Sequence, residues 1–177
     1  MIDPYDPTEE FSTDGGEPRI TEVTIDVDDV IQTNMRFFKD DAYEYEDAHA
    51  FTHLETRRSI KLDESKRHDL ERIIENFPAD EPLVSQSALW MHAIVGVHFF
   101  PDANHRTAMA TIRKMMEDND IGMPGEGLLT DLNERTEAAR NASKEERRKL
   151  DIDMGNYYEK DSLYKVWMWY FEDVLDQ

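Results

Sequence analysis

The segment at about Val84–His98 limits the fold of this chain more than any other feature, because it is apolar on nearly every side of a helix. Its large apolar residues are Leu89, Trp90, Met91, Ile94, Val95 and Val97. The chain as a whole is polar, with a mean hydropathy of −0.75. A helix that is hydrophobic all round is buried in a core. The sequence therefore predicts an all-α bundle with this helix at its centre, and we expect His92 to form a core hydrogen bond.

Hydrophobic spacing predicts a second helix directly after the central one. The residues that share one face of it are Ala108, Met109, Ile112, Met115 and Met116. This helix is expected to begin within Asn104–Arg106 and to end near residues 119–121. The residues between the two helices are thus anchored to the core.

The remaining segments predict further helices and one ambiguous stretch. Helices are expected after a cap at Asp28 or Asp29, at about Glu64–Phe77, from about Leu128, after a capping box of Ser143 and Glu146, and at about Lys160–Leu175. Residues 23–27 alternate apolar and polar side chains, which indicates either a short strand or an extended arm. At 177 residues the chain suits one domain. We predict a loose acidic arm at 1–19 and a single domain at 20–177.

Acidic residues outnumber basic ones along the whole chain, 40 against 20, and give a formal net charge of −20. Such a surface repels nucleic-acid backbones and anionic membranes, which argues against a DNA-binding module. The dispersed acidity suits a cytoplasm rich in salt, so a halophilic source is predicted. The sequence has no cysteine and shows no signal peptide or membrane-length apolar run. We expect a soluble cytoplasmic protein without disulfides, nucleic-acid partners or a membrane anchor.

Residues 98–106 gather chemically active side chains where the second helix begins, and they read His-Phe-Phe-Pro-Asp-Ala-Asn-His-Arg. Backbone N–H groups and the helix dipole form an anion site there, and Arg106 adds a forked, permanently charged phosphate ligand. Asp102 suits Mg²⁺, which prefers one or two carboxylates together with phosphate oxygens. His98 can take a proton from an incoming hydroxyl, since an unperturbed imidazole has a pKa near neutrality. The pattern predicts a phosphate-handling site.

Each of these residues also has a structural interpretation. Asp102 can be a helix N-cap and Asn104 a turn residue, in addition to or instead of a role at the site. Arg106 can pair with one of the many acids. His105 either contacts phosphate or is simply exposed. Phe100 is expected to pack and hold the loop.

The segment resembles the signature of the Fic/Doc (Fido) superfamily, and it is more similar to the Doc (death-on-curing) branch than to the Fic branch. The signature is roughly His-x-Phe-x-(Asp/Glu)-(Ala/Gly)-Asn-(Lys/Gly)-Arg. The positions that match it are His98, Phe100, Asp102, Ala103, Asn104 and Arg106. The similarity covers about Leu83–Pro124. It implies a Fic/Doc-like helical bundle with a small β-hairpin flap, which we place near Leu54–Leu62.

The resemblance also implies roles for the site residues. His98 would be the catalytic base, and Asp102 would hold Mg²⁺. The residues that would bind ATP or another nucleoside triphosphate are Ala103, Asn104, His105 and Arg106. The implied activity is transfer of phosphate to a Ser, Thr or Tyr hydroxyl of another protein, as the toxin of a toxin–antitoxin pair that a separate antitoxin inhibits.

Two departures from the signature leave alternatives open. His105 stands where Doc proteins usually carry Lys, and a neutral imidazole lacks the fixed charge of Lys. AMP-transferring Fic proteins have a second Arg three positions after the first, where this chain has Met109. The alternatives are AMP transfer (AMPylation) by the same site, and a non-catalytic Fido domain that binds a nucleotide or a protein.

Overall fold

A computed structural model of the protein describes residues 17–39, 62–122 and 134–175, and these residues form helices and no strand. The helices are α1 (Val27–Lys39), α2 (Glu64–Glu75), α3 (Leu83–Val97), α4 (Asn104–Asp118), α5 (Glu134–Lys149) and α6 (Ser162–Leu175). The bounds of α2, α3, α4 and α6 lie close to the predicted ones. The predicted all-α class is confirmed.

Helix α3 occupies the centre of the bundle, as its sequence predicts. Every residue from Ser85 to Gly96 is buried. Helix α3 packs against both α6 and α4, while α1 packs on α4 and α5 packs on α6. Because α4 begins only a short turn after α3 ends, the residues of that turn are fixed directly to the core.

His92 joins α3 to the start of α6 inside the core. Its side chain is fully buried, with Nδ1 2.7 Å from the carbonyl oxygen of Tyr157 and Nε2 2.8 Å from Asp161 Oδ2. Asp161 Oδ1 caps α6 by accepting from the backbone N–H groups of Leu163 and Tyr164, at 3.0 and 3.1 Å. The predicted core hydrogen bond of His92 is confirmed, and it fixes the position of α6 on α3.

Helix α1 is capped earlier than the sequence predicts. Asp26 Oδ1 accepts from the backbone N–H of Asp29 at 2.9 Å, and Asp29 Oδ2 accepts from the backbone N–H of Asp26 at 3.0 Å. This reciprocal pair is a capping box in which Asp26 is the N-cap. The prediction of Asp28 or Asp29 as the cap is wrong, because both lie in the first turn of the helix, which already includes Val27.

Helix α5 packs through polar side chains and has no broad apolar face. Its buried residues are Thr136 and Ser143. Thr136 Oγ1 lies 2.8 Å from the Tyr170 hydroxyl, and Ser143 Oγ accepts from Trp167 Nε1 at 3.1 Å. The predicted capping box of Ser143 and Glu146 is wrong, because α5 continues through both residues and the Ser143 hydroxyl binds α6 instead.

Several predictions concern residues that the structure does not describe. These include the helix start near Leu128, most of the arm at 1–19, and the flap near Leu54–Leu62 except for Leu62, which lies in no helix. Residues 17–26 contain no strand, which excludes the strand interpretation of the alternating segment. Within the described ranges, no helix combines the length and the apolar character needed to cross a bilayer.

Candidate active site

The turn between α3 and α4 contains two residues in the left-handed conformation. His98, the C-cap of α3, has φ 60° and ψ 61°, and Ala103, the N-cap of α4, has φ 60° and ψ 24°. For residues with a side chain this conformation costs about 1–2 kcal/mol each. Ala103 provides no side-chain cap for α4. The first-turn N–H groups of α4 are therefore suited to an anion, as helix N-termini generally are.

Asn104 holds this turn together through its side-chain amide. Oδ1 accepts from the backbone N–H of Phe100 at 3.0 Å, and Nδ2 donates to the carbonyl oxygen of Phe100 at 2.8 Å. Nδ2 also lies 3.2 Å from Nδ1 of His98. Phe100 itself is buried, as predicted. Of the two interpretations of Asn104, these contacts support the turn residue, and they give it a direct contact with the catalytic candidate.

Asn34 supports the same turn from α1, although it was not among the residues predicted from the sequence. Its Nδ2 donates to the carbonyl oxygen of Asp102 and to Thr107 Oγ1, both at 3.0 Å. The side chain is buried. The signal was available in the sequence, because Asn34 follows Val27 and Val30 at helical spacing on the apolar face of α1.

All six predicted site residues line one cleft of about 350 Å³. The side chains that surround it are those of His98, Pro101, Asp102, Ala103, Asn104, His105, Arg106, Arg140, Lys144, Arg147 and Arg148. Five of these described residues are Arg or Lys, and one is an acid. The described part of the cleft wall is therefore strongly cationic, although the chain as a whole has a net charge of −20.

Helix α5 supplies four of these cations, which were not among the site residues predicted from the sequence. Arg140, Lys144, Arg147 and Arg148 follow one another at i, i+4, i+7 and i+8, which is the spacing of one helix face. Nε of Arg140 and Nε of Arg147 are buried and have no hydrogen-bond partner among the described residues. A buried donor without a partner costs about 1–3 kcal/mol, so these two groups are suited to an anionic ligand.

His105 lies in the wall of the cleft between α4 and α5. Its Nε2 is 2.9 Å from Ser143 Oγ, the hydroxyl that also accepts from Trp167. The imidazole ring of His105 packs against the indole of Trp167, with 5.9 Å between ring centroids. The side chain is partly buried, so the interpretation of His105 as simply exposed is wrong. Its contacts show a link between helices, while phosphate binding by His105 stays a prediction.

Burial and neighbouring cations depress the pKa values of both histidines in the cleft. Desolvation, followed by the charges of Arg147 and Lys66, lowers the pKa of His98 to about 4. Desolvation, followed by the charges of Arg140, His98 and Arg147, lowers the pKa of His105 to about 3. Both imidazoles are therefore neutral near pH 7, and His98 does not add to the positive charge of the cleft.

These depressed pKa values predict a loss of stability in acid. The unfolded chain takes up the protons near pH 6.5, whereas the folded protein takes them up only near pH 4 for His98 and pH 3 for His105. The stability that depends on neutral His98 and His105 is fully present above pH 6.5, and it is lost as the pH falls from 6.5 to about 4 and 3. We expect the free energy of unfolding, measured by urea titration, to depend less on pH in His105→Gln than in the wild type.

The matched control for that measurement is His68→Gln, since the His68 side chain is 69% exposed. The free energy of unfolding of His68→Gln should depend on pH in the same way as that of the wild type. Equal pH dependence in His105→Gln and the wild type would contradict the depressed pKa of His105.

Asp102 is the one acid among the described residues of the cleft wall. Its Oδ1 accepts from the backbone N–H of Ala103 at 2.6 Å. The N-cap of α4 is Ala103, so the interpretation of Asp102 as the helix cap is wrong. The described residues include no group of three His, Cys, Asp or Glu that could hold a metal by themselves. One carboxylate fits Mg²⁺ that arrives with phosphate oxygens and water, and does not fit a metal held by protein alone.

The fold and this cleft define the protein as an all-α bundle with a cationic cleft at the N-terminus of α4. No protein-family model, curated protein or solved structure matches this chain. The resemblance to the Fic/Doc superfamily therefore depends on residues 98–106 and their flanks, and membership of that family stays a prediction.

Proposed function

We propose that the protein is a Fic/Doc-like transferase that moves phosphate from a Mg-bound nucleoside triphosphate to a Ser, Thr or Tyr hydroxyl of another protein. The observation that supports this proposal is the cluster of five Arg and Lys side chains around His98. An acidic chain gains nothing in solubility from such a cluster, since its other surfaces already carry charge. The cluster is best explained by a ligand with several negative charges.

The size and polarity of the cleft favour a phosphate-bearing small molecule. Small-molecule sites usually enclose about 300–1,000 Å³, and this cleft has a volume of about 350 Å³. Arg side chains bind phosphate through paired N–H donors. Three Arg side chains of the cleft are partly buried, and they belong to Arg106, Arg140 and Arg147. A long nucleic-acid backbone is disfavoured by the −20 charge of the chain.

Each residue of the cleft has a separate role in the proposed phosphate transfer. The attacking hydroxyl oxygen forms a bond to the γ-phosphorus, and the bond from that phosphorus to the β,γ-bridging oxygen breaks, so that the nucleoside diphosphate leaves. Arg106, the N–H groups of α4 and the cations of α5 stabilise the charge on the phosphate oxygens. His98 handles the proton of the hydroxyl, and Asp102 holds Mg²⁺, which supplies further charge neutralisation when bound.

AMP transfer is the second candidate, and the cations of α5 favour it. The family position that carries a second Arg in AMP-transferring proteins is Met109 here, and this side chain is buried in the core. The α5 residues Arg140 and Arg147 place positive charge in the cleft from another helix. They can hold a pyrophosphate leaving group in place of the missing Arg.

The experiment that tests the proposal uses the protein with Mg²⁺, an extract of its host at high salt, and ATP labelled at either the α or the γ phosphate. Label on a protein from γ-labelled ATP alone would support phosphate transfer. Label from α-labelled ATP would support AMP transfer. If neither nucleotide labels a protein, and GTP, CTP and UTP also fail, the transferase proposal is wrong and the site only binds its ligand.

Removal of one α5 cation is expected to weaken nucleotide binding. Arg147→Ala should raise the Kd for MgADP by about 10- to 100-fold, because a hydrogen bond to a charged group contributes about 1.5–3 kcal/mol. Isothermal titration calorimetry at fixed salt measures the change. Arg113→Ala is the matched control, since Arg113 pairs with Glu117 on the exposed side of α4. Equal affinities in the two variants would contradict the role of α5 in the cleft.

A further inference from the structure

The side-chain amide of Asn104 has only one orientation that satisfies its contacts. The backbone N–H of Phe100 can only donate, so the atom 3.0 Å from it must be the amide oxygen. The carbonyl oxygen of Phe100 can only accept, so the atom 2.8 Å from it must be the amide nitrogen. The two contacts agree with each other. The amide therefore presents its NH₂ group, and not its oxygen, to His98.

This orientation determines which imidazole nitrogen carries the proton. Asn104 Nδ2 lies 3.2 Å from His98 Nδ1, and an amide NH₂ is a donor only. Nδ1 must therefore accept with its lone pair. The ring is neutral near pH 7, because burial and the nearby Arg147 and Lys66 lower its pKa to about 4. A neutral imidazole that accepts at Nδ1 carries its proton at Nε2.

We propose that Asn104 is a positioning residue that holds His98 in the Nε2–H tautomer, so that the resting ring offers a proton, and not a lone pair, to the ligand in the cleft. The identity of that ligand rests on the proposed function. The tautomer does not, because it follows from contacts within the turn.

The tautomer changes the part that His98 takes in the proposed reaction. An Nε2–H group donates a hydrogen bond to a phosphate oxygen, which suits a cleft lined by cationic donors. To take the hydroxyl proton at Nε2, the ring must first lose the proton that Nε2 already holds. Moving that proton to Nδ1 would set an N–H against the NH₂ of Asn104 and would break their hydrogen bond. Asn104 thus favours the donor form of His98 and disfavours the base form.

Nitrogen NMR of the full chain tests the proposal directly. The ¹⁵N-labelled protein is measured without ligand at about pH 7.5, above the unperturbed histidine pKa, with a correlation that reports both ring nitrogens. The His98→Asn variant assigns the His98 signals by their loss. We expect a protonated Nε2 and an unprotonated Nδ1 in His98. His68 is the internal control: its side chain is 69% exposed and its Nδ1 lies 3.8 Å from Glu71 Oε2, so it should show an averaged pattern and not a fixed Nε2–H tautomer.

Three results for His98 would overturn the proposal: a proton on Nδ1 alone, protons on both nitrogens, or an averaged pattern like that of His68. The spectrum of the Asn104→Asp variant provides a second test. Asn104→Asp replaces the NH₂ group with a carboxylate that only accepts, so the proton should move to Nδ1 or occupy both nitrogens. Retention of the Nε2–H pattern in that variant would also overturn the proposal. If the variant does not fold, the wild-type spectrum decides alone.

The experiments can refute the proposed tautomer and the proposed transferase activity independently of each other. An Nε2–H spectrum without transfer of label refutes the proposed function and leaves the inference intact. Transfer of label together with a proton on Nδ1 refutes the inference and leaves the proposed function intact.

Discussion

His98→Asn is expected to lower the rate of transfer by about 10²- to 10⁴-fold, the usual effect of removing a side chain that transfers a proton or donates a hydrogen bond to the reacting groups in the transition state. Nucleotide affinity should change far less, because five cations of the described cleft remain. The Asn substitution is preferred to Ala for a structural reason. His98 has φ 60°, and Asn tolerates this left-handed conformation better than Ala does.

The measurement compares the initial rate of label transfer with the Kd for MgADP in the same preparation. His68→Asn is the matched control, since it removes an exposed imidazole from α2 and should retain the wild-type rate. A loss of affinity equal to the loss of rate would mean that His98 only binds the ligand. A near wild-type rate in His98→Asn would remove His98 from the chemistry.

The central part of the fold could be predicted because its signals are local and strong. An all-round apolar helix has only one stable environment, and α3 is buried from Ser85 to Gly96. The start of α4 follows from hydrophobic spacing in the same way, and its apolar residues Ala108, Ile112 and Met116 are buried as expected. These two helices fix the turn that holds the candidate site.

The cationic side of the cleft could not be predicted, because helix α5 carries almost no signal of where it packs. Its buried residues are Thr136 and Ser143, and both bind through hydroxyl groups to partners more than twenty positions away in sequence. A polar helix of this kind looks solvent-exposed by spacing alone. The sequence reveals the stripe that includes Arg140 and Arg147, but it is the tertiary contacts of α5 with α6 and with His105 that bring the stripe to His98.

The contact between α5 and α6 depends on Trp167, so we expect substitution of Trp167 to lower the stability of the fold strongly. The indole is 1% exposed, donates to Ser143 Oγ, and packs against His105 on α4 and against Tyr170 and Phe171 on α6. Trp167→Ala should lower the free energy of unfolding by about 3–5 kcal/mol, the usual cost of truncating a buried Trp. Urea titration followed by circular dichroism measures the change without relying on Trp fluorescence.

Two matched variants separate the sources of this effect. Trp169→Ala removes an indole from the same helix that is 62% exposed, and it should change the free energy of unfolding by no more than about 0.5 kcal/mol. Trp167→Phe keeps a buried ring but loses the donor to Ser143, so it should retain most of the packing energy. A small effect of Trp167→Ala, close to that of Trp169→Ala, would contradict the packing of α6 against α5.

The same variants test whether α5 belongs to the site. The Ser143 hydroxyl connects Trp167 to His105, so loss of the indole removes one of two bonds that hold Ser143 between α6 and α4. We expect Trp167→Phe to weaken MgADP binding although the indole lies outside the cleft wall, because α5 and its cations are then held less firmly. Trp169→Ala should bind MgADP as the wild type does. Unchanged affinity in Trp167→Phe would mean that the cations of α5 do not depend on this contact for their place beside His98.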